Sequence, residues 1–261
     1  MESEMLDEWH GLYKLRFISD NDLFEHVKTT VQQYSFTMDL KEFNRNIIDP
    51  IKLTFDMAIY NKSIADIIGS EVIRQIDKSN NNTIGYFHQN IFKYIGGNEW
   101  IVLPTGFDIV NDNKKIYVEM KNKHNTMNAN SSQRAYIKMS AKLQQEANAT
   151  CMLVEVIAKK SQNIPWCIKI DGEKFASDQI RRVSIDKFYE IVTGQSDSFK
   201  QLCLVLPKVI KDVVNSIATE EVFKNTVNIE LSAISGDTLT SLYLLAFNKY
   251  EGFSDFLLDD Q

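Results

Sequence analysis

Cysteine, glycine and proline are all scarce in this chain. Its 261 residues contain three cysteines, ten glycines and four prolines. Cys151, Cys167 and Cys203 are widely spaced and form no CxxC pair, which argues against a disulfide framework and against a cysteine zinc site. We expect all three to be buried thiols in a reducing compartment. Because no Gly- or Pro-rich linker divides the sequence, we expect a single domain over residues 1–261.

Long hydrophobic runs are also absent. The most apolar stretches, CMLVEVIA and LYLLAF, are well short of the ~18 residues that a membrane-spanning helix needs. The acidic start, MESEMLDEW, carries no signal-peptide pattern. We therefore expect no membrane association and a cytoplasmic location.

Positive charge is scarce overall but concentrated in one segment. The net charge of −6 argues against a protein that coats nucleic acid without selectivity, because neutralising phosphates requires lysine and arginine. Residues 114–142 nevertheless contain a single acid, Glu119, among seven basic residues, which are Lys114, Lys115, Lys121, Lys123, Arg134, Lys138 and Lys142. This segment suits either a solvated face or an anion-binding strip.

The spacing of apolar residues indicates a mixture of helices and strands. It predicts helices over most of residues 1–80, with a break at Asn80–Asn82, and then at residues 83–95, 133–147, 185–194 and 198–217, with a helical tail. It predicts strands at EWIVLP, at two segments within residues 106–123, at TCMLVEVIA and at WCIKID. We therefore expect an α/β domain with helical elaborations at both ends.

The hairpin GFDIVNDNKKIYVEMKNKHN, residues 106–125, places charged residues where a plain hairpin carries neutral ones. A symmetric turn at residues 112–115 sets Val110 opposite Tyr117 and Asp108 opposite Glu119, with Cβ atoms about 5 Å apart. Because side chains alternate along a strand, Lys121 shares the face of Glu119. The remaining apolar residues of the second strand, Ile116, Val118 and Met120, then point into a core.

Two carboxylates this close repel each other unless a cation lies between them. Magnesium suits the position, because it takes oxygen ligands and binds one or two carboxylates while keeping waters. Lys121 would orient or deprotonate a water whose pKa the metal lowers. The same spacing also suits an exposed hairpin in which Glu119 and Lys121 form an ordinary surface ion pair.

The string Asp108, ten residues, Glu119-Met120-Lys121 resembles the Asp…(Asp/Glu)-x-Lys core of the PD-(D/E)XK nuclease superfamily. Residues 85–133 and 183–202 are similar to type II restriction endonucleases of the SinI-like group, which cut GGNCC or GGWCC. The resemblance extends over about residues 65–215. One position departs from it, since Phe107 stands where the superfamily has proline.

This resemblance implies a nuclease core, a central mixed sheet flanked by helices, over about residues 66–215. Helical regions of about 1–65 and 216–261 would flank it. Asp108 and Glu119 would be metal ligands, and Lys121 the catalytic lysine. Many superfamily members add an acid from a preceding helix, for which Glu71 is the candidate. Gln89 and His88 are further candidates near the metal, although a His on an apolar helix is commonly a core residue.

The polar loop after the hairpin would contact DNA. Asn and Gln pair with adenine edges, and Arg or Lys with guanine. A mobile surface loop is the alternative. The candidates for DNA contact are Lys123, His124, Asn125, Asn128, Ser132, Gln133, Arg134, Lys138, Arg181 and Arg182.

The resemblance implies a Mg²⁺-dependent type II restriction endonuclease that cuts both strands of duplex DNA at a short near-palindromic site. A symmetric site implies a homodimer. It also implies a bacterial or archaeal cytoplasm and a matching DNA methyltransferase that acts separately on the same site. Another superfamily nuclease (a resolvase, a repair enzyme or an enzyme that cuts modified DNA), a non-catalytic DNA-binding module and a metal-free hydrolase remain alternatives.

Overall fold

The structure is a computed structural model that describes residues 11–217, 224–247 and 249. Its α-helices are α1 (Asp20–Gln32), α2 (Leu40–Asn44), α3 (Pro50–Tyr60), α4 (Ile64–Asn90), α5 (Ala129–Gln145), α6 (Ile185–Thr193), α7 (Ser198–Ser216), α8 (Val227–Ser232) and α9 (Thr238–Phe247). Its strands are β1 (Thr37–Met38), β2 (Ile101–Val102), β3 (Ile109–Asn111), β4 (Ile116–Lys123), β5 (Thr150–Ile157), β6 (Asn163–Pro165), β7 (Ile168–Ile170), β8 (Glu173–Phe175), β9 (Ile180–Ser184) and β10 (Lys224–Asn225). None of the helices in the described ranges is long and apolar enough to cross a membrane.

The described residues divide into two compact units. The first, here called the sheet unit, comprises residues 11–32 and 84–217. The second, here called the helical unit, comprises residues 33–83 and the described residues from 224 onward. Helix α4 supplies residues to both, and the boundary falls between Thr83 and Ile84. The single domain expected from the sequence stays a prediction.

A mixed six-stranded sheet forms the centre of the sheet unit, in the order β2-β3-β4-β5-β9-β6. The pairs β2–β3, β3–β4 and β6–β9 are antiparallel, whereas β4–β5 and β5–β9 are parallel. Helix α5 makes the crossover between β4 and β5 that a parallel pair requires. The predicted α/β class and the mixed sheet flanked by helices are confirmed; the PD-(D/E)XK assignment stays a prediction.

Both faces of the central strands are covered, so alternate side chains enter two different cores. On one face Val118, Met120 and Val154 pack with apolar residues of α1, α6 and α7. On the other face Tyr117 and Leu153 pack with residues of α5, which are Ala135, Tyr136 and Met139. The second face carries Glu119 and Lys121, and α5 therefore lies over the part of the sheet that leads to them.

The helical unit has its own apolar core. Buried residues of its five helices and of β1 form it, and they include Phe43, Leu53, Ile68, Val72 and Val227. Asp39 and Asp49 cap the N-termini of α2 and α3 by accepting backbone N–H groups, which satisfies donors that a helix leaves unpaired.

Two expectations from the sequence are corrected here. Residues 80–82 do not break the helix, because the polar side chains there find partners without leaving it. Asn81 donates to the backbone and side chain of Asp77, and Asn80 Oδ1 accepts from Ser35 N at 2.8 Å. The helix predicted at residues 198–217 is confirmed as α7, which runs without interruption through Pro207. Cys151 is buried as expected, but Cys167 and Cys203 are exposed.

The strand predicted at WCIKID is present as β7, but it lies outside the central sheet. Among the described strands it pairs with β8 alone, in a two-stranded antiparallel hairpin. Asp171 and Gly172 connect the two strands and both have positive φ, which matches the mirror-image turns that tight hairpins prefer. The predicted helical tail is described as α9 up to Phe247; apart from residue 249, its remainder lies outside the described residues, as does the predicted helical start before residue 11.

Candidate active site

A tight turn fixes the register of the β3–β4 hairpin. Asn111 is fully buried, and its Oδ1 accepts a hydrogen bond from Lys114 N at 2.9 Å. Lys115 has a φ of 55°, in the left-handed region. The observed pairs include Val110 with Tyr117 and Ile109 with Val118, so the predicted register is confirmed for these residues.

At Asp108 the hairpin departs from the symmetric register by one residue. Its backbone N–H donates to Val118 O at 2.8 Å, rather than to the residue opposite in the ladder. The Asp108 side chain, rather than a backbone carbonyl, then accepts the next backbone hydrogen bond of β4, from Met120 N to Oδ2 at 2.7 Å. The carboxylate is therefore fixed against the backbone of β4, immediately beyond Glu119.

Two lysines hold the Glu119 carboxylate. Lys121 Nζ lies 2.8 Å from Oε1, and Lys138 Nζ lies 2.7 Å from Oε2. Lys138 comes from α5, and its ammonium also donates to Gly106 O at 2.7 Å. Both oxygens of this partly buried carboxylate thus have a cationic partner.

The two acids have pKa values that shift in opposite directions. Burial raises the pKa of Asp108; the hydrogen bond from Met120 N opposes this effect, and the charge of Glu119 adds to it. Burial also acts to raise the pKa of Glu119, but the hydrogen bonds from Lys121 and Lys138 outweigh it, so the pKa is lowered. Asp108 and Glu119 are therefore close enough to interact, and Asp108 is the acid with less compensating positive charge.

This donor set fits a magnesium ion. Mg²⁺ commonly takes one or two carboxylates and keeps several waters. Asp108 and Glu119 supply two carboxylates, and within the described ranges no group of three or more His, Cys, Asp or Glu residues could hold a metal. An ion bound here would rely on the two acids, on waters and on a substrate phosphate.

The expected DNA-contact residues from Lys123 to Arg134 follow one another through the end of β4, the connecting loop and the start of α5, and Lys138 lies one turn further along α5. Asn128 caps α5, since its Oδ1 accepts from Ser131 N at 2.8 Å. His124 N donates to Ile157 O at 3.0 Å, which ties the start of the segment to the end of β5. The exposed members are Lys123, Asn125, Asn128 and Arg134; the partly buried ones are His124, Ser132, Gln133 and Lys138.

The two arginines of β9 have internal partners. Arg181 hydrogen-bonds to Asn163 and to Asp178 O. Arg182 Nε donates to Glu155 Oε1 at 2.9 Å, and its Nη2 donates to His124 O at 3.2 Å. A DNA contact by either residue would compete with these bonds.

The weaker metal-site candidates lie on α4. Glu71 belongs to the helical unit, where it accepts from Arg74 Nε at 2.7 Å and from Gln75 at 3.0 Å. His88 packs edge-on against Phe87, its buried Nδ1 has no hydrogen-bond partner among the residues that the structure describes, and burial lowers its pKa to about 4. Gln89 is partly buried. Among the described contacts, none joins these three residues to Asp108 or Glu119, and their roles stay predictions.

Comparison with known proteins identifies the family. The model of the Eco47II restriction endonuclease family matches residues 15–215. The chain belongs to this family. It is 33% identical over 213 residues to the type II restriction enzyme Sau96I of Staphylococcus aureus, which covers 77% of this chain and 82% of that protein. It is 28% identical over 214 residues to the type II restriction enzyme Eco47II of Escherichia coli, which covers 77% of this chain and 88% of that protein.

Membership of the Eco47II family makes the chain an enzyme, a type II site-specific deoxyribonuclease. The expectation of a type II restriction endonuclease is therefore confirmed. The matched range includes the β3–β4 hairpin, α5 and all strands of the central sheet, whereas the described residues from 224 onward lie outside it.

Two features of the candidate site were missed in the sequence. Glu155 is 1% exposed and lies beside Lys121 across the parallel strands β4 and β5. A lone glutamate inside the apolar run CMLVEVIA was the available signal, because buried acids are rare and need partners. Lys138 was expected to contact DNA, whereas the structure places its ammonium on Glu119; no spacing within α5 indicates this contact, since it depends on how α5 packs on the sheet.

Proposed function

We propose that this Eco47II-family enzyme has a PD-(D/E)XK core and uses Mg²⁺ to hydrolyse phosphodiesters in both strands of duplex DNA at a short near-palindromic site, GGNCC or GGWCC. The observation that carries the proposal is the grouping of Asp108, Glu119 and Lys121 at one end of β4, beside an exposed basic segment. Two acids and a lysine on a rigid sheet provide the fixed geometry that hydrolysis requires.

Asp108 and Glu119 are the proposed ligands of the ion. When bound, Mg²⁺ lowers the pKa of a coordinated water and stabilises the negative charge of a phosphate. The hydrogen bond from Met120 N fixes the orientation of Asp108, and the β4 strand fixes Glu119. The backbone of β4 therefore positions both carboxylates before an ion binds.

Lys121 is the proposed catalytic lysine. Its side chain is 32% exposed, so the ammonium is open to a substrate on the solvent side. From there it would orient the attacking water or donate to the phosphate oxygen on which charge develops. Its hydrogen bond to Glu119 Oε1, 2.8 Å long, sets the direction of the ammonium before DNA arrives.

The surface segment of residues 123–134 is the proposed DNA contact. The exposed Lys123 and Arg134 carry the charge that binds phosphates or guanine edges, and Asn125 offers an amide for base edges. Because the segment directly follows β4, any base or phosphate contact made here is held at a fixed distance from the acids. This couples recognition to the position of the scissile bond.

The proposed assembly is a homodimer with one active site for each DNA strand, because a near-palindromic site has two-fold symmetry. A matching DNA methyltransferase would act separately on the same site, in the cytoplasm of a bacterial or archaeal host. Size measurement with and without a duplex that carries the site tests the dimer, and a monomer in both conditions would contradict it.

The decisive experiment is digestion of a sequenced plasmid by the purified protein, in Mg²⁺ or in EDTA, followed by sequencing of the new ends. We expect discrete fragments only with Mg²⁺, a uniform overhang, and GGNCC or GGWCC at every end. Uniform ends at another sequence would refute the site but not the chemistry. Structure-dependent nicks indicate another type of nuclease, cleavage in EDTA a metal-free hydrolase, and intact DNA in both conditions a non-catalytic module.

A further inference from the structure

The ammonium of Lys138 lies in the candidate active site, beside the Glu119 carboxylate. The ammonium lies 2.7 Å from Glu119 Oε2, 2.7 Å from Gly106 O and 4.4 Å from the centroid of the Phe107 ring. The carbonyl and the ring hold the ammonium in place independently of Glu119, because both attract a cation. The lysine is thus anchored to the loop before Asp108 and neutralises Glu119 at the same time.

One turn further along α5, Lys142 also contacts an aromatic ring and a glutamate, but neither belongs to the candidate site. Its ammonium lies 4.1 Å from the centroid of the Tyr117 ring and 3.1 Å from Glu146 Oε2. Both lysines therefore lie on α5, contact an aromatic ring and pair with a glutamate. They differ in the glutamate, which is Glu119 for Lys138 and Glu146 for Lys142. Lys142 is the matched control for any effect of Lys138.

A metal ligand cannot use the same lone pairs for an ammonium and for a divalent ion. Glu119 has one oxygen on Lys121 and the other on Lys138, so an incoming ion meets two positive charges on its proposed ligand. The divalent ion and the two ammonium groups repel each other, because all three are positively charged. Lys138 is the lysine that is able to withdraw at lower cost, because Gly106 O and the Phe107 ring remain as partners.

We propose that Lys138 is the resident counter-cation of Glu119, which stabilises the site without metal and competes with the divalent ion for Glu119 Oε2. This inference rests on the proposed metal site at Asp108 and Glu119. It assigns to Lys138 a role in setting metal affinity, in place of a role confined to DNA contact. Removing its charge therefore strengthens metal binding, which is the opposite of what loss of a structural support would do.

The test is the affinity for Mn²⁺, used as a paramagnetic probe and measured from the free-ion signal, for the full chain and for three variants. We expect Lys138→Met to bind Mn²⁺ roughly three- to fivefold more tightly, in line with the strength of a partly exposed ion pair. Methionine removes the charge and keeps an unbranched side chain that is one atom shorter. Lys142→Met should bind as the unmutated protein does, and Glu119→Gln should lose the site.

The variants distinguish a failure of the proposed metal site from a failure of the competition by Lys138. If the unmutated protein binds no Mn²⁺, or if Glu119→Gln binds it equally well, the metal site of the proposed function fails and takes this inference with it. If Glu119→Gln loses binding but Lys138→Met binds no more tightly than the unmutated protein, the metal site stands and the competition is refuted.

A second measurement needs no variant and so does not depend on the folding of Lys138→Met. Acetylation of lysines in the unmutated protein is followed by mass spectrometry with and without Mn²⁺. We expect the rate at Lys138 to rise severalfold with Mn²⁺ while the rate at Lys142 stays constant. An unchanged or lower rate at Lys138, under conditions where Mn²⁺ is bound, would overturn the proposal.

Discussion

Lys121 lies directly beside Glu155 across the parallel strands β4 and β5, yet its ammonium donates to Glu119 on its own strand. Glu155 is engaged from the other side, by Arg182 of β9. Three adjacent parallel strands therefore carry charged side chains on one face near their C-terminal ends. Glu155 pairs with Arg182, and Lys121 pairs with Glu119. Glu119 therefore orients the Lys121 ammonium, which stays partly exposed to a substrate.

Loss of the Lys121 ammonium should remove catalysis while leaving DNA binding largely intact. We expect Lys121→Ala to lower the single-turnover cleavage rate on the order of 100- to 1,000-fold, the loss typical of a group that stabilises transition-state charge. Affinity for the same duplex, measured by fluorescence anisotropy in the presence of Ca²⁺, should change far less.

Lys142→Ala is the control for this substitution, because Lys142 also pairs with a glutamate on the sheet unit. Its cleavage rate should match that of the unmutated enzyme. Cleavage by Lys121→Ala at the unmutated rate would show that the proposed catalytic lysine has been misassigned.

Removing one partner of the Glu155–Arg182 pair should strongly destabilise the fold. Glu155 is 1% exposed, and within the described part of the chain its Oε2 has no hydrogen-bond partner, so removing Arg182 leaves a buried carboxylate without the cation that it pairs with. We expect Arg182→Leu to lower the free energy of unfolding by about 3 kcal/mol. The measurement is urea denaturation followed by circular dichroism.

The double variant Glu155→Leu/Arg182→Leu should recover most of this loss, because apolar side chains of similar size do not carry a desolvated charge. The neighbouring Arg181→Leu is the control and should cost about 1 kcal/mol or less, since it removes hydrogen bonds to neutral groups only. Equal losses in Arg181→Leu and Arg182→Leu would contradict this account.

The sequence predicts the hairpin well because the information is local. Alternation of apolar residues and the turn before Lys115 fix which residues pair, and the register is observed from Ile109 onward. The one-residue shift at Asp108 is not predictable in this way, because the side chain replaces a backbone acceptor for Met120 N. Contacts between distant elements, such as Lys138 with Glu119, depend on packing that no local spacing encodes.

Helix α4 is continuous at residues 80–82, where the sequence predicts a break. Three consecutive asparagines are unfavourable inside a helix, since their side chains compete for backbone hydrogen bonds. Here the competition is resolved within the helix, where Asn81 donates to Asp77, and by Ser35, which donates to Asn80. Tertiary partners therefore override the local preference, and the sequence indicates a break that the structure does not have.

DNA affinity should depend on salt through the exposed basic residues after β4. We expect Arg134→Ala to weaken binding about equally for specific and unrelated duplexes, and to reduce the slope of log affinity against log salt by about 1, if Arg134 contacts a phosphate. Anisotropy titrations over a range of NaCl concentrations, with Ca²⁺ and without Mg²⁺, measure both quantities.

Lys187→Ala is the control for the salt experiment, because Lys187 pairs with Glu190 on α6. Its slope should equal that of the unmutated protein. A loss in Arg134→Ala restricted to duplexes with the specific site would instead assign Arg134 to a base edge, and an unchanged slope with unchanged affinity would remove it from the interface.

The opposite pKa shifts of the two acids predict opposite effects of pH on stability without metal. The raised pKa of Asp108 means that the folded state binds this proton more tightly than the unfolded chain does. Ionised Asp108 therefore costs stability at neutral pH, and the cost disappears as pH falls through its folded pKa towards its ordinary value. Asp108→Asn, whose amide oxygen still accepts from Met120 N, should accordingly unfold at a higher temperature than the unmutated protein at pH 7.

Glu119 behaves in the reverse way, because its lowered pKa means that the ionised form stabilises the fold. That contribution is present above the ordinary glutamate pKa and is lost as pH falls through the folded value. Glu119→Gln should therefore lower the unfolding temperature at pH 7, and the difference should vanish in acid. Thermal unfolding of both variants in EDTA from pH 3 to pH 8 measures the two trends. Destabilisation of equal size by both substitutions at pH 7 would show that the acids do not differ in compensating charge, and that Lys121 and Lys138 do not favour Glu119 over Asp108.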